Sequence, residues 1–264
     1  MSTSNRELTG KIALVTGSSR GIGAAIAIKL ASRGADIAIN YHASAAAAAE
    51  VAAQVRAQGV RAITVQADVA SQADVATLFE RVVTDLGPLD IVVSNSGVEH
   101  FAPIAEVTGE DIDRVFNVNV KGQYFVAQQA HKHLKDHGRL MLTASVCAVM
   151  GVRDHAVYAA SKAAVTGMTK SLAKDFGPRG ITVNCLAAAG VKTDMYEAES
   201  AKYFGEAGKN MTIEQIEDAL SKWSPLGRVG LPSDVAGAAA LIASADSQWI
   251  TGQTLQVCGG AYMA

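Results

Sequence analysis

Short apolar runs rich in β-branched residues alternate with Ala-rich or amphipathic segments of ten or more residues along most of the chain. This alternation restricts the fold more than any other feature. The runs are residues 12–16, 36–40, 62–66, 90–93, 139–143 and 181–186. Between them a helical pattern leads up to Gly34, then to Gly59, over 71–86, through a long stretch near 110–136, and over about 155–176. Strands separated by helices favour parallel pairing, and a parallel sheet needs cover on both faces. The alanine tract 45–49, with Glu50 and Gln54 in register, reads as helix because alanine is the strongest helix former. Residues 195–223 break the rhythm: a polar stretch carries Tyr196, Tyr203, Phe204, Met211 and Trp223, and reads as a substrate lid or wall over about 195–225. No Pro- or Ser-rich linker intervenes, so one α/β domain over 1–264 is expected.

Charge and composition exclude several classes. Lys and Arg total 23 against 25 Asp and Glu, and 5% of residues are aromatic, so the electrostatic footprint of a nucleic-acid binder is missing. No apolar run approaches the roughly 18 residues of a membrane span. The polar start, Met1 to Asn5, lacks the apolar core of a signal peptide. A cytoplasmic chain without a membrane partner is expected. Cys147, Cys185 and Cys258 form no C-x-x-C pair and read as reduced thiols, Cys258 as a buried one. His131, His133 and His137 cluster near a helix end, but Leu134 follows His133 where a metalloprotease has glutamate; they read as solvated, not as a metal site.

Directly after the first strand stands Thr16-Gly17-Ser18-Ser19-Arg20-Gly21-Ile22-Gly23, which opens the first helix. Glycines there let the backbone approach a pyrophosphate, and a helix N-terminus offers free N–H groups and a positive dipole end. The second strand ends Ile39-Asn40-Tyr41-His42, with no carboxylate to hold ribose hydroxyls or repel a 2′-phosphate. Arg20 can pair with that phosphate, so NADPH is the expected cofactor.

Tyr158-Ala159-Ala160-Ser161-Lys162 places a phenol and an ammonium at i and i+4 on one helix face. A cation beside a phenol favours its ionised form. Ser145 ends a strand 13 residues before Tyr158, at the same edge as the glycine turn. One hydroxyl can hold a carbonyl oxygen while the other protonates it. Glu99-His100-Phe101 follows the fourth strand, where His100 is the candidate to touch a phenolic substrate.

With these motifs the chain resembles the short-chain dehydrogenase/reductases over nearly everything from Leu8 to Ala261. Ala67-Asp68-Val69, Ser94-Asn95-Ser96-Gly97 and Val118-Asn119-Val120-Lys121-Gly122 add to the resemblance. So do Pro225-Leu226-Gly227-Arg228 and Pro232-Ser233-Asp234-Val235-Ala236. Ser94-Asn95-Ser96-Gly97 with Asn40-Tyr41 is similar to fungal reductases of polyhydroxynaphthalenes. The resemblance implies a Rossmann-like, doubly wound parallel sheet and a catalytic tetrad of Asn119, Ser145, Tyr158 and Lys162. In it Lys162 lowers the tyrosine pKa and holds ribose, and Asn119 positions a water that refills the proton. Cofactor contacts are implied at Gly17, Ser19, Arg20, Gly21, Ile22 and Gly23. Further contacts are implied at Asn40, Tyr41 and Ser44, at Asp68, Val69, Asn95 and Gly97, at Tyr158 and Lys162, and at Val191 and Thr193. The substrate, an aromatic or cyclic ketone, would meet His100, Tyr196, Tyr203 and Trp223. A homotetramer is also implied, and the small residues of the helix around Ala160 to Gly167 would allow close packing across an interface.

The family's Pro-Gly after the sixth strand is replaced by Ala188-Ala189, which predicts a more mobile or re-routed loop and a wider pocket. The resulting reading is an NADPH-dependent ketoreductase of secondary metabolism. The alternative is a cofactor-dependent non-redox protein, either an isomerase or cyclase or an inactive binding scaffold.

Overall fold

The structure, a computed structural model, describes residues 6–263; the polar start at residues 1–5 lies outside the described residues. Its strands are β1 (Ile12–Val15), β2 (Asp36–Tyr41), β3 (Ala62–Gln66), β4 (Leu89–Ser94), β5 (Leu134–Ser145), β6 (Thr182–Ala188) and β7 (Thr254–Val257). They form one parallel sheet in the order β3-β2-β1-β4-β5-β6-β7. The order reverses between β1 and β4, which opens a crevice at their carboxyl ends where ligands of such sheets bind.

Strand alternation explains the two cores. Ala13 and Val15 face one side with Ile37, Ile39 and Val93, covered by α1 (Gly21–Ser32), α2 (Ala45–Arg56) and α9 (Pro232–Ala243). Ile12 and Leu14 face the other with Val92, Leu140 and Val183, covered by α3 (Gln72–Asp85), α5 (Gln123–His133) and α6 (Ala156–Phe176). Both faces are apolar, as a doubly covered parallel sheet requires. Among the described residues no helix is long and apolar enough to cross a membrane.

The long helix expected near 110–136 is three pieces. A capping box of Thr108 and Asp111 starts α4 (Gly109–Phe116), a π-helical turn spans Asn117–Gly122, and α5 ends at His133. Such widened turns are frequent at functional sites. Leu134 already pairs with Leu89, and the register then shifts before Ile91 meets Arg139. The histidines nearby diverge: His131 stands edge-on to Phe176 and His133 tilts against Phe79.

The expected re-routing does not begin at Ala188. Strand β6 runs on through Ala188, which pairs with Ser145 on one side and Val257 on the other. Neither alanine has positive φ, so no glycine-type strain arises. Between α6 and α9 lie α7 (Asp194–Glu199), 3-10 turns over Ser200–Asn210, and α8 (Ile213–Ser221). They carry a small core of their own, Tyr196, Ile216, Leu220 and Val229.

The turn after β1 has little slack. A Cβ on Gly23 would lie 2.5 Å from Gly17 O and 2.6 Å from Asn95 Nδ2. Gly23→Ala is therefore expected to lower stability by about 1–3 kcal/mol and to weaken cofactor binding, as read from urea unfolding and nucleotide titration.

Candidate active site

A cavity of about 1390 Å³ runs along the carboxyl ends of the strands, from the glycine turn to Trp223. At one end Gly17 and Gly21 take positive φ, and α1 begins at Arg20 with no side-chain cap and no acidic residue in its first turn. That leaves the helix N–H groups open to an anion. Ser19, Arg20, Gly21 and Ile22 line this end. Arg20 is largely exposed, with Nη1 3.4 Å from Asp194 Oδ2.

Asn40 shapes the turn: its Oδ1 accepts from Gly17 N at 3.1 Å, and its Nδ2 donates to Ala67 O. Tyr41 departs from expectation. Strand alternation turns it from the cavity onto the core of α1 and α2, and His42, Ala43 and Ser44 line the cavity there. Asp68 and Val69 follow on the wall, Asp68 Oδ1 accepting from Ala70 N. Asn95 Nδ2 donates to Thr16 O and Gly17 O, tying the turn to the end of β4. Gly97 sits where a Cβ would press on Asn119 Oδ1 and Lys162 Nζ, both at 3.3 Å. Val191 and Thr193 close this part, Thr193 capping α7 through Tyr196 N.

Tyr158 and Lys162 come from the first turns of α6, and Ser145 from the end of β5. All three line the middle of the cavity. Ser145 Oγ accepts from Cys147 N at 3.2 Å and donates to Ala188 O at 3.3 Å. Lys162 Nζ donates to Thr143 O at 3.1 Å, while Gln123 bridges that residue's N–H and carbonyl. Burial lowers the Lys162 ammonium to about 8. Contrary to the expected effect of the lysine, burial first, then Glu99 and Cys147, hold the Tyr158 phenol well above its ordinary pKa; a bond with Ser145 acts the other way. Tyr158 is thus a protonated donor.

Asn119 is wholly buried on the π turn. Its Oδ1 accepts from Val98 N, and its Nδ2 donates to Val98 O and Ser161 Oγ, at 2.9 to 3.0 Å. Gln123 Nε2 occupies its backbone carbonyl. The side chain thus holds the loop after β4 against α6, and the second lone pair of the backbone carbonyl oxygen is what a positioned water would use.

At the far end Tyr196, Tyr203 and Trp223 line the cavity. Phe101 stands edge-on to His155 at 3.9 Å and to Tyr203 at 5.1 Å, and His155 edge-on to Tyr158 at 4.6 Å. His100 does not belong here. It is buried with Nε2 3.4 Å from Asp111 Oδ1, and the neighbouring Glu99 faces the cavity instead. Sequence reading selected the imidazole for its chemistry and missed Glu99, one residue earlier. Cys258 is half-buried on the cavity wall rather than buried, its thiol donating to Tyr262 O.

A family model described as enoyl-(acyl carrier protein) reductase matches residues 17–262. The short-chain dehydrogenase/reductase of Serratia marcescens BCRC 10948 superposes with a TM-score of 0.87 at 38% identity, covering 97% of this chain and 99% of that one. The chain belongs to the short-chain dehydrogenase/reductases. Within this family, a short-chain dehydrogenase of Burkholderia cenocepacia J2315, solved in complex with NADP, is 41% identical with a TM-score of 0.88, covering 97% and 99% of the two chains. The hydroxynaphthalene reductase-like protein Arp2 of Metarhizium brunneum is 48% identical over 97% of this chain and 96% of its own. The tetrahydroxynaphthalene reductase PfmaG of Pestalotiopsis fici is 46% identical over 98% and 94%. As a short-chain dehydrogenase/reductase, the chain carries the resemblance first read in its glycine turn through almost its full length.

Proposed function

We propose that this protein is a cytoplasmic, NADPH-dependent reductase of a ketone on a polyketide-derived aromatic or related ring, acting in secondary metabolism. The observation that carries the reading is one continuous cavity in which the glycine turn, the Ser145–Tyr158–Lys162 cluster and an aromatic wall follow each other. The names of the hydroxynaphthalene and tetrahydroxynaphthalene reductases support the substrate class, and the NADP-bound relative supports the cofactor.

The residues present fit such a cofactor. The N-terminus of α1 is uncapped and free of acids, Arg20 reaches the cavity, and no carboxylate ends β2. When bound, NADPH supplies a hydride to the carbonyl carbon. Tyr158 Oη, kept protonated by burial, gives its proton to the carbonyl oxygen, and the strongly basic oxygen that develops as the hydride arrives draws it. Ser145 Oγ, already oriented by Cys147 N, turns to hold that oxygen. Lys162 holds the nicotinamide ribose, and Asn119 positions the loop carrying Gly97 and Val98. Residues 195–225 act as the lid. The non-redox alternative was motivated by Ala188-Ala189; Ala188 ends β6 paired on both sides, and neither alanine takes a positive φ.

A homotetramer is part of the proposal. Ala160, Ala163, Ala164 and Gly167 leave a small-residue face of α6 exposed, and Trp249 is 95% exposed. Sedimentation should give a tetramer at micromolar concentration; a monomer there would remove this part.

Tyr158→Phe should cut turnover of a bicyclic aromatic ketone by about 10²–10⁴-fold while NADPH still binds. More than about a tenth of the wild-type rate would take Tyr158 out of the mechanism. Arg20→Ala should weaken NADPH by about one to two decades and leave NADH nearly unchanged, since charge-assisted bonds contribute about 1.5–3 kcal/mol. Equal losses would mean that Arg20 only supports the turn.

A further inference from the structure

Beside Tyr158 the cavity wall holds a carboxyl group that none of the steps above uses. Glu99 lies just beyond β4, and its side chain is 10% exposed and lines the cavity. Its Oε1 accepts from Tyr203 Oη at 3.1 Å and stands 3.5 Å from Nε2 of the wholly buried His155. Both contacts fall on the same oxygen. The second oxygen makes no such contact, and it is not sealed among the buried unpartnered polar atoms, so it borders the cavity.

The surroundings make that oxygen selective. Tyr158 and Tyr203 line the cavity beside the carboxyl, backed edge to face by Phe101 and His155, and present a surface suited to a flat ring. A carboxyl in such a setting costs free energy unless it is hydrogen-bonded, and in an apolar pocket a few placed polar groups fix the ligand's orientation. Lys162 and Lys202 favour its ionised form, Glu199 opposes it, and burial, the largest influence, pushes Glu99 up to about 7. His155 is held near 4 by burial and by His100, so it is a neutral neighbour and not a cation that would saturate the carboxylate.

We propose that Glu99, held in place by Tyr203, is a specificity-determining residue that accepts a hydrogen bond from a hydroxyl group on the ring of the ketone substrate. This rests on the reductase reading and narrows it: the substrate is a hydroxylated aromatic ketone, recognised at two points. Ser145 and Tyr158 take the carbonyl oxygen, and the free carboxyl oxygen of Glu99 takes a ring hydroxyl. A site built to bond a hydroxyl discriminates against the analogue lacking it, because the buried polar group is then left unpaired.

The test compares NADPH oxidation with 1-tetralone and with its 5-, 6-, 7- and 8-hydroxy derivatives, for wild type, Glu99→Ala and Glu99→Gln. Wild type should prefer at least one hydroxytetralone over 1-tetralone in kcat/KM. In Glu99→Ala that preference should fall by about 10- to 100-fold, chiefly through KM. Glu99→Gln keeps an acceptor oxygen and should retain part of it. NADPH titration by fluorescence reports whether each variant still folds around the cofactor. An unchanged preference in Glu99→Ala, an equal loss on all the ketones, or no wild-type preference for any hydroxyl position would each overturn the proposal and leave the reductase reading standing. No oxidation by wild type with any ketone, while NADPH binds, would overturn the reductase reading and this proposal with it.

Discussion

One amide joins the two halves of the sheet at the point where the site begins. Asn95 Nδ2, at the end of β4, donates to Thr16 O and Gly17 O after β1, while the buried Thr16 hydroxyl accepts from Asn95 N and Ser96 N. Asn40 grips Gly17 from the other side. The chain must therefore turn after β1 within van der Waals contact of Asn95, and only glycine fits at 17 and 23. The direction of α1, the open N-terminus it presents and the reach of Arg20 all follow from that clamp. Glycine is required here by packing as well as by a ligand, which is why the glycine spacing alone was weak evidence of binding and its setting between two strand ends strong.

A second network performs the same service for the chemistry. The π turn lets Asn119 hold both polar groups of Val98 and the Ser161 hydroxyl, and Gln123, one turn on, ties Thr143 to the same helix. Thr143 O in turn positions Lys162 Nζ. Burial then sets the ionisation pattern. The phenol of Tyr158 is held protonated, the ammonium of Lys162 is brought down to about 8, and Glu99 is brought up to about 7. A protonated phenol beside an oriented serine is arranged so that it can give a proton to a carbonyl oxygen.

Much of this was legible in the sequence because periodicity and strand ends carry it. The runs that became β1 to β6 read as strands, and Ser145, Tyr158 and Lys162 could be placed at one edge from spacing alone. What was not legible depends on the third dimension. The π turn is invisible in 109–133 because one extra residue per turn leaves the apolar pattern nearly helical. The four-residue β7 gains its meaning only from the Ala188–Val257 pairing. Tyr41 was assigned to the cavity by resemblance and His100 by its place after β4, yet in the fold both side chains turn away and His42 and Glu99 line the cavity instead. Ala188-Ala189 looked like a defect by comparison with Pro-Gly, but Ala188 simply completes β6, paired with Ser145.

The central claim is that this cavity brings a nicotinamide and a ring ketone together so that a hydride moves to the carbonyl carbon as Tyr158 gives its proton. The most direct measurement uses NADPH carrying deuterium at C4, in separate 4R- and 4S-labelled forms, with a bicyclic aromatic ketone and product analysis by NMR. Deuterium on the new carbinol carbon from one of the two forms, in step with loss of NADPH absorbance, is the predicted result. Conversion of the ketone with no deuterium from either form and constant NADPH absorbance would contradict the account.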